Sequence, residues 1–65
     1  MFIAVTDNDE DFFMINSGKL LLITCTNQNN PDEVAVHFQM VDGKSLSLIM
    51  CEEEWSHVQD QVNKL

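Results

Sequence analysis

Val34-Ala35-Val36-His37-Phe38-Gln39-Met40-Val41-Asp42-Gly43-Lys44-Ser45-Leu46-Ser47-Leu48-Ile49-Met50 is the most regular stretch of the chain. Val34, Val36, Phe38 and Met40 alternate with Ala35, His37 and Gln39. Leu46, Leu48 and Met50 alternate with Ser45, Ser47 and Ile49. Successive side chains of a strand point to opposite faces, so each half reads as a strand with one apolar face. Between them Asp42-Gly43 signals a turn.

The length of that turn sets the register. A two-residue Asp42-Gly43 loop would pair Phe38 with Ser47 and put the large apolar side chains of the two strands on opposite faces. A three-residue loop, Val41-Asp42-Gly43, pairs Phe38 with Leu46, Val36 with Leu48 and Val34 with Met50. Gly43 then takes the left-handed position such a loop needs. The other face carries His37 opposite Ser47 and Gln39 opposite Ser45. The three-residue register is therefore predicted.

Toward the C-terminus the period changes. Cys51, Trp55, Val58, Val62 and Leu65 recur at helical spacing and form one stripe. Glu52, Glu53 and Glu54 fall in the first turn and Lys64 in the last, both suited to the helix dipole. Asp60 and Lys64 are four apart in the favourable order.

Toward the N-terminus, Thr26 to Asp32 reads as a loop, because it lacks apolar side chains and contains Pro31. Lys19 to Thr26 reads as a strand. Leu20, Leu22 and Thr24 are expected on one face, and Leu21, Ile23 and Cys25 on the other. Apolar residues on both faces suggest a central strand or one covered on both sides. Asn16-Ser17-Gly18 is a turn triplet, Phe12 to Ile15 a strand, Asp7 to Asp11 a turn, and Phe2 to Thr6 a first strand. The fold class is α+β. A small antiparallel sheet of four to five short strands carries one amphipathic C-terminal helix on one face, in a single domain over residues 1–65.

Composition narrows the function. The 65 residues are 45% hydrophobic, too apolar for a disordered acidic tail, and carry eleven Asp and Glu against three Lys and no Arg, a formal charge of -8. Three lysines cannot neutralise many phosphates, and arginine, the usual fork for phosphate, is missing. Direct nucleic-acid binding is not expected. The longest apolar run, Leu20 to Ile23, is too short to span a bilayer. The N-terminus has no basic region followed by a signal-length apolar run. Two cysteines do not make a disulfide framework, so a cytoplasmic protein with reduced, buried thiols is expected.

Several chemistries are weighed and set aside. Asp7, Asp9 and Asp11 have the opening spacing of a calcium loop, but the sixth and twelfth positions are Phe12 and Gly18, where Gly and Glu are required. Cys25, His37, Cys51 and His57 are zinc-type ligands with no close Cys-x-x-Cys knuckle. Cys51 at a helix start is followed by three glutamates, which oppose a thiolate. His37 and Ser47 are expected neighbours, yet a hydrolase also needs an orienting acid, an oxyanion hole and a pocket. No enzyme activity, metal or cofactor is expected.

What remains is interaction. Phe12 and Phe13 are adjacent in a strand, so one of them faces away from the core. With Leu21 and Ile23 they suggest an exposed apolar patch, and small domains often gain stability from a partner. The expected contact residues are Asp7, Asp9, Glu10, Asp11, Phe12, Phe13, Glu52, Glu53 and Glu54. The reading is a non-enzymatic acidic protein–protein interaction module, steered toward a basic protein partner. Its concrete version is a regulator or inhibitor in which the carboxylates mimic nucleic-acid phosphates at a binding groove. The alternative is a homo-oligomer, a dimer or higher, with a structural or scaffolding role through an apolar sheet face.

Overall fold

The computed structural model describes residues 1–27 and 32–65. It has five strands, β1 (Phe2–Thr6), β2 (Phe12–Asn16), β3 (Leu20–Asn27), β4 (Glu33–Met40) and β5 (Ser45–Cys51), and one helix, α1 (Glu52–Asn63). The α+β architecture is as expected from the sequence. The strands are divided between two antiparallel sheets, β1-β2 and β3-β4-β5. The helix packs against β1, β5 and β4.

The β4-β5 hairpin has the predicted register: Phe38 opposes Leu46, Val36 opposes Leu48 and Val34 opposes Met50. Gly43 holds φ 91°, the left-handed backbone of a three-residue loop. Its amide donates to Met40 O, and Met40 N donates to Lys44 O at 2.8 Å, which closes the turn.

This register builds the core. Val34, Val36, Phe38, Leu48 and Met50 from the larger sheet meet Ile3, Val5 and Ile15 from the smaller one, with Val58 from the helix. Fully burying side chains of this size contributes roughly 1.5–3 kcal/mol each, so one shared core binds the two sheets and the helix together. Trp55 and Val62 pack on its margin, half-buried.

Strand β3 departs from expectation. It lies at the sheet edge, and β4 is central. Leu20 opposes Met40 but Leu22 opposes Gln39, so Leu21 is an extra residue in a bulge. The bulge breaks the alternation read from sequence. Leu20 and Ile23 turn to the core side, while Leu21 and Leu22 are both exposed.

The ends of the other elements also differ. Asn16 is the N-cap of a short 3-10 turn, Ser17–Lys19, its side chain accepting from Gly18 N. Thr26 and Asn27 extend β3, and residues 28–31 of the expected loop lie outside the described residues. The helix ends at Asn63, so Lys64 is its C-cap and Leu65 is exposed instead of completing the apolar stripe. Both thiols are free and, contrary to the expected burial, exposed. Cys25 faces the core side opposite Val36, but on the edge strand, away from the strands on which the helix chiefly rests. Cys51 is the helix N-cap, outside the helical stripe. No helix among the described residues is long and apolar enough to cross a membrane.

Candidate functional site

The β1-β2 turn is organised by one of its own carboxylates. Asp7 Oδ1 accepts from Asp9 N at 2.9 Å and from Asp11 N at 3.0 Å. Asp7 N donates to Asp11 O, and Glu10 N to Asp7 O. A short side chain that accepts from amides two and four residues on mimics a backbone turn. Glu10 closes the turn with φ 66°, a left-handed conformation unfavourable for a residue with a Cβ. Asp7 is half-buried, and Asp9, Glu10 and Asp11 are exposed.

Two contacts, one to β5 and one to β4, hold this turn against the larger sheet. Asn8 N donates to Ile49 O at 2.9 Å, and Asn8 Nδ2 donates to Glu33 Oε2 at 2.6 Å. A cleft of about 310 Å³ runs between turn and sheet, lined among others by Asp7, Asp9, Glu33, Ser47 and Ile49.

The second acidic cluster arrives beside the first. Cys51 ends β5 and caps the helix, so Glu52 to Glu54 begin shortly beyond Ile49. Glu54 reaches across to β1, where its Oε1 accepts from Thr6 N at 3.1 Å. Its other oxygen lies 4.0 Å from His57 Nδ1. Thr6 immediately precedes Asp7, so the two clusters, distant in sequence, share one end of the molecule.

The adjoining face of the β1-β2 hairpin is apolar. Phe12 opposes Thr6, Met14 opposes Ala4 and Phe2 opposes Asn16, all on the side away from the core. Phe12 is 64% exposed, Phe2 59% and Met14 56%. Three large side chains on one hairpin face form a contiguous apolar stripe, unlike isolated surface hydrophobics.

The expected contact residues are thus sorted by the fold. Asp9, Glu10, Asp11, Glu52 and Glu53 are exposed at one end, with Phe12 next to them. Asp7 and Glu54 are half-buried and spend their oxygens on backbone amides. Phe13 turns inward and packs on the core, as does Ile23 on β3. Phe2 and Met14 join the apolar face; strand alternation places them opposite the core-facing Ile3 and Ile15.

For metal chemistry, Asp7, Asp9 and Asp11 can bring one carboxylate oxygen each within 4.8 Å of one another. Asp7 already accepts two amide hydrogen bonds there, which accounts for the cluster as turn structure. His37 Nδ1 and Ser47 Oγ share a 2.7 Å hydrogen bond across β4 and β5.

Comparison with protein families, curated proteins and solved structures finds no match to this chain.

Proposed function

We propose that this chain is a non-catalytic acidic interaction module that binds a basic protein partner, in its concrete form a regulator or inhibitor occupying a nucleic-acid-binding groove. The observation that supports this most is the convergence of two acidic clusters beside an exposed apolar stripe. Asp9, Glu10, Asp11, Glu52 and Glu53 supply negative potential, and Phe12, Met14 and Phe2 supply area to bury. Charge steers the encounter and rejects acidic competitors, while aromatic anchors slow dissociation. A row of carboxylates on a folded scaffold offers a basic groove what phosphates offer it, without needing any base contact.

The test uses the intact chain immobilised against purified basic nucleic-acid-binding domains and acidic control domains, at low and high salt. Capture of basic domains, lost at high salt and displaced by duplex DNA, supports the proposal. Partners that are neutral or acidic and indifferent to salt would sink it, because the electrostatic term would then carry nothing.

A further inference from the structure

We infer that β3 is a homodimerisation edge, on which a second copy of this chain adds its own β3 to make a continuous six-stranded antiparallel sheet across a two-fold axis. This goes beyond the acidic reading and stands whether or not a basic partner exists.

Three observations lead there. First, the other edge strand of the larger sheet and the outer edge of β1 each have outward backbone groups already bonded within the chain. On β5 the outward carbonyl of Ile49 is taken by Asn8 N. On β1 the outward groups of Ala4 and Thr6 are taken by Gln61 and Glu54. Second, β3 has no such cover among the described residues. Met40 N bonds toward β5, and antiparallel bonding alternates, so Gln39, His37 and Ala35 bond toward β3 at Leu22, Thr24 and Thr26. That leaves the backbone N–H and C=O of Ile23 and Cys25 pointing outward. Third, apart from the bulge at Leu21 near its start, β3 lacks the devices that protect free edges. From Leu20 to Asn27 there is no charge and no proline, and Leu21 and Leu22 are 66% and 55% exposed. An edge strand with outward N–H and C=O groups and exposed leucines is one that an added strand completes.

Charge selects the occupant. Two molecules of charge -8 repel wherever their carboxylates meet. Asp7 to Asp11 and Glu52 to Glu54 gather at the β5 side, across the whole sheet from β3. The neutral β3 edge, headed by Lys19, is therefore where two copies approach with least repulsion, whereas a basic foreign segment is drawn to the opposite side. The eight-residue strand spans roughly 26 Å at about 3.3 Å per residue. That matches most of the 31 Å long axis, and an antiparallel pairing of a strand with itself satisfies both copies' outward groups at once.

Sedimentation of the full chain over a concentration series tests this, alongside Thr24→Lys and Ser45→Lys. Both sites are exposed on the same sheet face, and both substitutions add one positive charge, the first on β3 and the second on β5. The expected result is a reversible dimer for the wild type and for Ser45→Lys, with a dissociation constant raised about tenfold or more by Thr24→Lys, because the lysine faces its own copy. Hydrogen exchange of the wild type alone gives a second reading. The Ile23 and Cys25 amides should exchange more slowly at high concentration than at low. A chain monomeric up to about 1 mM overturns the inference. So does a dimer that Thr24→Lys leaves intact and in which those amides gain no protection.

Discussion

The side-chain amide of Gln61 sits against Ala4 as a neighbouring strand would. Ala4 N donates to Gln61 Oε1 at 2.8 Å, and Gln61 Nε2 donates to Ala4 O at 2.8 Å. A carboxamide has the donor and acceptor of a peptide group, so one residue of α1 closes the edge of β1 and fixes where the helix lies. Gln61→Glu keeps the acceptor and loses the donor, leaving a carboxylate against a carbonyl. It should destabilise by about 1–3 kcal/mol in urea denaturation, whereas Gln59→Glu, exposed on the same helix, should change stability by less than about 0.5 kcal/mol. Equal effects at the two positions would show that the Ala4 pairing contributes nothing.

The Asp7 turn separates structure from binding within one acidic run. Asp7→Ala removes the acceptor for two amides and should cost about 1–2 kcal/mol, while Asp7→Asn keeps Oδ1 and should cost less. Asp9→Asn with Asp11→Asn should leave thermal stability unchanged or raise it slightly, since exposed like charges repel. The same pair should slow association with a basic domain and flatten its salt dependence. A large stability loss from Asp9→Asn and Asp11→Asn would assign those carboxylates to the fold instead.

Backbone conformation gives a paired prediction of opposite sign. A methyl group added to Gly43 would meet nothing within 4 Å, so at φ 91° Gly43→Ala should cost about 1 kcal/mol by conformational strain alone. Glu10 at φ 66° already bears that strain, so Glu10→Gly should gain up to about 1 kcal/mol. Thermal unfolding of both variants checks the two signs together.

The parts of the fold legible in the sequence are those with a short-range repeat. Alternation in β4 and β5, with Gly43 placed for a three-residue loop, is enough to fix Phe38 opposite Leu46. The stripe Trp55, Val58, Val62 is enough to place the helix face. Strand β3 escapes the same rule because the bulge at Leu21 shifts the alternation by one residue, and a bulge leaves no mark in a run of Leu-Leu-Leu. The inward roles of Gln61, Glu54 and Asp7 are not legible for a different reason. Their partners are backbone groups, and backbone groups carry no sequence signal. The candidate site is half visible: exposed Asp9, Glu10 and Asp11 follow from the turn, and alternation turns one of Phe12 and Phe13 outward without saying which, but the meeting of that turn with Glu52 and Glu53 depends on Asn8 reaching Ile49.

Cys51 occupies the N-cap of α1 with φ -76° and ψ 161°, the extended backbone of a capping residue, yet its thiol makes no capping hydrogen bond. Glu54, at the position that would complete a capping box, is turned to Thr6 N instead. The helix start therefore relies on the charges of Glu52 and Glu53 and on Asp32 O, which accepts from Glu52 N, without a side-chain acceptor from its cap residue. Cys51→Ser places a hydroxyl oxygen where the weak sulfur acceptor stands. Cys51 is exposed, so the exchange opens no cavity. Serine there should stabilise the chain by about 0.5–1 kcal/mol, and aspartate by a similar amount less the repulsion from the adjacent glutamates. The measurement is urea denaturation of the wild type, Cys51→Ser and Cys25→Ser under reducing conditions. Cys25→Ser lies in a strand and serves as the control for thiol loss. A gain confined to Cys51→Ser identifies the empty cap as the cause, and a Cys51→Ser variant no more stable than the wild type would mean that the helix start is already satisfied.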